Sequence, residues 1–376
     1  MISVPNYIEK LAPYVPGKPI EETQREYQLK KVIKLASNEN PLGPSPRAIR
    51  AIQSVHTELH RYPDSSAFSL KTALAKKEQV QSGQIILGNG SNEVIDQIIR
   101  TYCVPGDAIA TYQYSFIAYR ICAQIHGVHT LEAGVDAQLS MSVDELVDLV
   151  RKNERVKVVF VAQPNNPTGQ YLKKLEFEKL LKDLSLIRGG SVLIVIDHAY
   201  AEYVSAPDFV NPQSYLSTYP QLMILKTFSK VYGLAGLRVG YGVASADIIG
   251  QMEKVRQPFN INSLGMLAAE QALEDFEFVQ KSVKMNALGM KFWEEKLTEL
   301  EISFWKSQGN FLLAQFSKEL GVLGFDVYQK CLQQGLILRP VHNYGLPHAL
   351  RITIGTPEEN EWAVEKFAAV CKDLRK

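Results

Sequence analysis

Thr227-Phe228-Ser229-Lys230 runs into Val231-Tyr232-Gly233-Leu234-Ala235-Gly236-Leu237-Arg238. A lysine amine stands just past an apolar run, with hydroxyls before it and glycines and an arginine after it. A lone loop lysine is ordinarily a solvated charge. A lysine shielded from water near a fixed cation has a lowered pKa and becomes a usable amine nucleophile. Ser229 and Arg238 could hold a phosphate beside it.

Two further segments also follow apolar runs, and a third opens a helix. Ile194-Val195-Ile196 leads into Asp197-His198-Ala199-Tyr200. An aspartate there is either a helix N-cap or a buried carboxylate that must meet a cation, and a protonated heterocycle would serve. Gln163-Pro164-Asn165-Asn166-Pro167-Thr168-Gly169 is a rigid turn that presents Asn166 as a fixed hydrogen-bonding group. Gly88-Asn89-Gly90-Ser91-Asn92-Glu93 opens an amphipathic helix. Ser91 or Asn92 would cap it, and the same geometry aims backbone N–H groups at an anion. Neither this segment nor Gly240-x-Gly242 completes a dinucleotide fingerprint, because Glu93 and Ser245 occupy the third position. No Walker A pattern occurs. A lysine amine, a phosphate cradle, a strand-edge aspartate and a fixed asparagine together are what a pyridoxal phosphate site needs. The lysine bonds the aldehyde as a Schiff base, and the aspartate keeps the ring nitrogen protonated.

Such residues converge only if several strands end at one edge. Strands are expected at Asp107–Thr111, Val156–Ala162, Ser191–Ile196, Gln221–Leu225 and Leu237–Ala244, with amphipathic helices at Asn92–Tyr102 and Leu175–Leu184 between them. The alternation predicts an α/β fold, a mostly parallel sheet with helices on both faces. Ligands of such sheets bind outside the carboxyl ends of the strands. After residue 260 the pattern changes. Leu264–Leu300 reads as helical, short strands are expected near Phe311–Phe316 and Leu350–Ile354, and a helix runs from Glu358. The expected organisation is an extended N-terminal arm (1–45), a large α/β domain (46–260) and a smaller α+β domain (261–376).

Composition narrows the classes. The chain has 376 residues, 46% of them hydrophobic, with 41 basic against 40 acidic side chains and a net charge of +1. There is no bulk positive field for nucleic acid or an anionic membrane. The start of the chain lacks a basic and then apolar leader, and no apolar run approaches the ~18 residues of a membrane span. The four cysteines, Cys103, Cys122, Cys331 and Cys371, have no CxxC spacing and read as free thiols of a reducing compartment. No histidine sits in a metal-binding pattern, so no metal is expected. A cytoplasmic location follows from these readings.

The chain resembles the fold-type I pyridoxal-phosphate-dependent aminotransferases over nearly its whole length. The resemblance is carried by Leu35-Ala36-Ser37-Asn38-Glu39-Asn40-Pro41, Arg61-Tyr62-Pro63, the Gly90–Glu93 turn, Asn165–Gly169, Thr227–Gly240, Tyr344-Gly345-Leu346-Pro347 and Leu350–Gly355. The Arg339-Pro340-Val341 and Tyr-Gly-Leu-Pro motifs are similar to the histidinol-phosphate branch. The resemblance implies transamination of histidinol phosphate with 2-oxoglutarate. Aromatic amino-acid transamination and, further off, threonine-phosphate decarboxylation are the alternatives. It implies that Lys230 bonds the cofactor and shuttles the substrate's proton, and that Asp197 pairs with the ring nitrogen. Asn166 and Tyr200 would bond the ring's phenolate oxygen, and Tyr114 would stack on the ring. Ser91, Asn92, Thr227, Ser229 and Arg238 would surround the phosphate, with Tyr62 reaching it from the partner subunit of a homodimer. Tyr14, Asn38, Arg339 and Arg351 would bind substrate, with Tyr14 and the two arginines at its anionic group. The family often has aspartate where Asn92 stands and glutamate where His198 stands, so His198 is given no role.

Overall fold

The computed structural model describes residues 2–11, 17–54, 59–316 and 321–374. Strands are numbered along the chain. The central sheet holds β2 (Ile85–Gly88), β3 (Ala108–Tyr112), β4 (His129–Ala133), β5 (Val156–Ala162), β6 (Leu193–Asp197), β7 (Leu222–Thr227) and β8 (Gly240–Val243). Their order is β2-β8-β7-β6-β5-β3-β4. The run from β7 to β4 is parallel, and β8 is antiparallel to both β7 and β2.

The continuous apolar runs are explained by burial on both faces. Val158, Phe160 and Val195 pack under the helices Ser91–Tyr102, Ile117–Ile125 and Ala246–Glu253. Their neighbours Val159, Val161, Ile194 and Ile196 point the other way, under the helices Val143–Lys152 and Lys174–Ser185. Alternate residues of one strand thus serve two cores.

Register brings the strand ends level. Ala162 of β5 pairs with Asp197 of β6, and Asp197 with Leu225 of β7. The loops carrying Asn166, Tyr200 and Lys230 therefore leave the sheet side by side. The helix Ser91–Tyr102 is brought to the same edge by two glycines that pair across the β2–β8 ladder, Gly88 and Gly240. A Cβ on Gly240 would strike the backbone nitrogen of Ser91, so the first helical turn sits directly on the strand.

A second sheet, ordered β12-β13-β10-β9, is antiparallel. It holds β9 (Ser303–Trp305), β10 (Phe311–Gln315), β12 (Arg339–Pro340) and β13 (Ala349–Thr353). Its core joins Leu312, Leu350 and Ile352 to Trp293, Val327 and Phe367 on the helices Phe276–Glu299, Gly324–Gln333 and Pro357–Asp373.

Two details differ from the sequence expectation. The helical stretch after residue 260 is two helices, Ser263–Leu273 and Phe276–Glu299. Asp275 breaks it because its carboxylate caps the second helix at Phe278 N and also accepts from Ser45 Oγ at 2.6 Å. The first of the two packs with the helices Pro46–Gln53 and Phe68–Glu78, on the side of the central sheet. The N-terminal segment is also more than an extended arm. It holds a helix at Ile20–Tyr27, and β1 (Ile33–Lys34) pairs in parallel with β11 (Leu336–Ile337).

Candidate active site

A cavity of about 270 Å³ opens at the carboxyl edge of β5, β6 and β7, against β12 and β13 of the second sheet. Ser91, Asn92, Asn166, Asp197, Tyr200, Thr227, Ser229, Lys230, Arg238, Asn38, Arg339 and Arg351 all line it. Twelve residues singled out in the sequence are therefore brought together from seven segments of the chain.

Lys230 lies at the centre of the polar wall. Its Nζ donates to the Ser37 carbonyl at 3.2 Å and stands 5.5 Å from the centre of the Tyr200 ring. Burial, with Arg351 and then Arg238 nearby, pushes its pKa down to about 8, against the opposing pull of Glu39 and Asp197. A sizeable fraction of the amine is neutral at physiological pH, which a nucleophile requires.

Asp197 is buried at the end of β6. Its Oδ2 accepts from the Tyr119 hydroxyl at 2.7 Å and its Oδ1 from Ala199 N at 3.0 Å. Burial raises its pKa, while these two hydrogen bonds and Lys230 oppose that. Among the described residues it makes no ion pair. The aspartate is not a helix cap in the ordinary sense, because only a short 3₁₀ turn, Ala201–Tyr203, follows it.

One end of the cavity is built for an anion. No side chain caps the helix Ser91–Tyr102, whose N-cap is Gly90 at φ 81°. Arg238 adopts a left-handed backbone (φ 56°), and its Nη1 donates to Ala235 O at 3.0 Å and Ser229 Oγ at 3.4 Å. Its guanidinium covers Gly90 so closely that a Cβ there would collide with it. Thr227 Oγ1 accepts from Ser229 N at 3.1 Å and shapes the turn between them. A helix N-terminus, hydroxyls and a guanidinium converging in this way suit a phosphate.

The other end carries two arginines. Arg351 is buried; its Nη1 donates to Asn166 Oδ1 at 2.5 Å and its Nη2 to Ala36 O at 2.6 Å, with the guanidinium 5.4 Å from the Phe311 ring centre. Between the ends, Asn38 Nδ2 donates to Tyr200 Oη at 3.0 Å. Thr353 Oγ1 locks Asn38 by accepting from its N–H at 3.0 Å and donating to its Oδ1 at 2.9 Å.

Of the other residues expected at the site, two described ones do not line this wall, and a third is not described. Tyr14 lies outside the described residues. Tyr62 is 82% exposed, stacked on Phe259 at 4.7 Å, and does not line this chain's own cavity. Tyr114 packs in a small apolar cluster with Leu313, Val341 and Tyr344, and Phe116 lines the cavity where Tyr114 was expected. Tyr119 escaped notice in the sequence because an aromatic in a helix that packs on a sheet reads as core, and Phe116, which precedes that helix, because it stands two positions from Tyr114. Glu39 and Tyr344 also line the cavity; both fall inside motifs recognised in the sequence without a separate signal. His198 is buried away from it against Phe209, at 5.3 Å between ring centres, and burial holds its pKa well below the usual imidazole range. No cluster of potential metal ligands is present among the described residues. No helix described is long and apolar enough to cross a membrane.

A fold that aligns an amine, a carboxylate, an anion cradle and paired arginines at one sheet edge defines an aminotransferase site. The chain belongs to the class I and II aminotransferases, whose family pattern matches residues 30–367. Among curated relatives it is 42% identical over 358 residues to the histidinol-phosphate aminotransferase of Anaeromyxobacter sp. (strain Fw109-5), covering 95% of this chain and 96% of the other. It is 40% identical over 372 residues to that of Bdellovibrio bacteriovorus, covering 98% of each. In fold it matches the histidinol-phosphate aminotransferase of Sinorhizobium meliloti, solved with pyridoxal-5'-phosphate, at a TM-score of 0.88 and 22% identity over 98% and 97% of the two chains. A Thermus thermophilus aspartate aminotransferase variant matches at 0.83 and 18%, over 98% of this chain and all of the other.

Proposed function

We propose that this chain is a pyridoxal-phosphate-dependent transaminase that interconverts histidinol phosphate plus 2-oxoglutarate with imidazole acetol phosphate plus glutamate, a step of histidine synthesis. The observation that carries the reading is Lys230, a partly buried amine with a pKa of about 8, placed between an anion cradle and a pair of arginines. The whole-length identity of about 40% to curated relatives of that name supports the substrate.

The residues present fit the cofactor. A buried carboxylate with no cationic partner among the described residues is costly unless a positive group meets it, and a protonated ring nitrogen is such a group. The cradle of Ser91, Asn92, Thr227, Ser229 and Arg238 suits the cofactor's phosphate. When bound, pyridoxal phosphate supplies an aldehyde that takes up amines and a ring that accepts the electron pair freed at Cα.

The chain's own side chains do the rest. Lys230 Nζ would bond the cofactor's aldehyde and, when free, would carry the substrate's Cα proton. Asp197 would face the ring nitrogen and favour its protonated, electron-withdrawing form. Asn166 accepts from Arg351 through Oδ1 and so would have its NH₂ to offer the cofactor's phenolate oxygen, and Tyr200, which lines the same cavity, would add its hydroxyl. Arg351 and Arg339 bind the phosphate of histidinol phosphate in one half-reaction and a carboxylate of glutamate in the other, and Asn38, held between the two ends, meets the substrate's middle.

The working unit is a homodimer in the cytoplasm. Tyr62, exposed and clear of its own cavity, reaches the cofactor phosphate of a second copy. The arm (1–45), larger domain (46–260) and smaller domain (261–376) are proposed as the organisation, with the helix Ser263–Leu273 packing on the larger domain's side.

Half-reactions with a panel of donors test the assignment. Histidinol phosphate should convert the yellow enzyme fastest, ahead of phenylalanine, tyrosine and threonine phosphate. A preference for phenylalanine would move the chain to the aromatic transaminases. A colourless protein that takes up no pyridoxal phosphate would refute the cofactor reading.

A further inference from the structure

Tyr119 has no place in the cavity lining, yet it touches the residue that matters most to the cofactor's ring. It lies in the helix Ile117–Ile125 and is wholly buried. Its hydroxyl donates to Asp197 Oδ2 at 2.7 Å, while Ala199 N donates to Oδ1 at 3.0 Å. Each carboxylate oxygen thus has one fixed donor, which sets the plane of the group. The phenol itself cannot swing. Its ring is stacked on Phe160 at 4.7 Å and 13°, and meets Phe116, a cavity-wall residue, edge-on at 5.7 Å.

The electrostatics run the same way. Burial favours the protonated carboxyl of Asp197, and the Tyr119 hydrogen bond is the largest influence opposing it. Burial and the neighbouring carboxylate push the phenol's own pKa far up, so it remains a donor at any working pH. A hydrogen bond to a charged group is stronger than one between neutral groups, so losing it should be read as a change of about tenfold.

We propose that Tyr119 is a positioning residue that keeps the Asp197 carboxylate ionised and fixed in orientation, so that it can hold the proton of the cofactor's ring nitrogen. The proposal rests on the reading of this cavity as a pyridoxal phosphate site.

The full chain is titrated with pyridoxal phosphate and with its 1-deaza analogue, in which carbon replaces the ring nitrogen, and dissociation constants are read from absorbance. Wild type should prefer pyridoxal phosphate. Tyr119→Phe should weaken pyridoxal phosphate about tenfold, leave the analogue unchanged and have no effect in an Asp197→Asn background. Equal weakening of both compounds would make Tyr119 a packing residue and overturn the proposal, as would no weakening of either. A wild-type chain that binds the two equally would instead overturn the ring-nitrogen reading beneath it. Should Tyr119→Phe fail to fold, the infrared difference between wild type and Asp197→Asn decides. An ionised Asp197 at neutral pH is expected, and a protonated one overturns the proposal.

Discussion

Arg339 and Arg351 are register partners on the antiparallel strands β12 and β13, so their side chains leave the same face of the second sheet toward one cavity. Like charges directly opposite each other on a sheet are destabilising. An anion between them relieves that cost, and a phosphate relieves more of it than a carboxylate because it carries more charge and more acceptor oxygens.

Arg339→Ala should therefore raise KM for histidinol phosphate much more than KM for glutamate. Arg351→Lys keeps the charge but loses the planar fork that reaches Asn166 and Ala36, and should weaken both half-reactions. Half-reaction kinetics with each donor separate the two effects. Unchanged KM values in Arg339→Ala would place that arginine outside the substrate site.

Lys230→Ala should abolish transamination and the cofactor label that borohydride fixes to the chain, while weak cofactor binding persists through the phosphate cradle. Absorbance and intact mass measure both. A label that survives would mean another lysine bonds the cofactor.

The amine of Lys230 sets a pH profile. Below its pKa of about 8 the neutral fraction rises with pH, so the rate of cofactor uptake by the apoenzyme should climb and level off near that value. After burial, Arg351 is the largest influence holding this pKa down, so Arg351→Ala should move the profile to higher pH. A profile centred near the ordinary lysine value would show that the amine is not shielded.

Asp197→Asn should keep the fold and lose about 10²-fold or more in kcat, roughly 3 kcal/mol of barrier. The neutral amide cannot hold the ring's proton. Turnover near wild type would reduce the aspartate to a structural role.

Gly240→Ala places a methyl group against the backbone nitrogen of Ser91. The helix Ser91–Tyr102 must then lift off β8, which opens the anion cradle. Cofactor affinity should fall at least tenfold, with a lower melting temperature of the apoenzyme. An unchanged affinity would mean that the cradle does not depend on this contact.

The sequence made the chemistry legible where side-chain type and strand ends coincide. Lys230, Asp197 and Asn166 each follow an apolar run, and that pattern suffices to place them at one edge. The helix limits came close as well: the expected Asn92–Tyr102 is Ser91–Tyr102, and Leu175–Leu184 is Lys174–Ser185. The strand expected at Leu237–Ala244 begins only at Gly240, because Ala235–Leu237 is a 3₁₀ turn and Arg238 is left-handed. β2, four residues long, and β4, on the sheet edge and mostly exposed or only partly buried, carry too little apolar signal to be seen. Tyr114 and Phe116 could not be told apart from spacing, since a left-handed turn at Tyr114 (φ 59°) decides which ring faces the cavity. The Arg339–Arg351 partnership depends on a register between segments that no local pattern encodes.

The pairing of β1 with β11 has a consequence for how the enzyme is born. Ile33 waits for Leu336, and Asn38 for Thr353. Both are contacts of extreme sequence separation, and such contacts form late. On the ribosome the central sheet can assemble as its strands emerge, but one wall of the cavity is missing until β13 has been made. A nascent chain truncated before β13 should thus be folded in its larger part yet unable to hold substrate, and amine-transfer competence arrives only once β13 has emerged and paired.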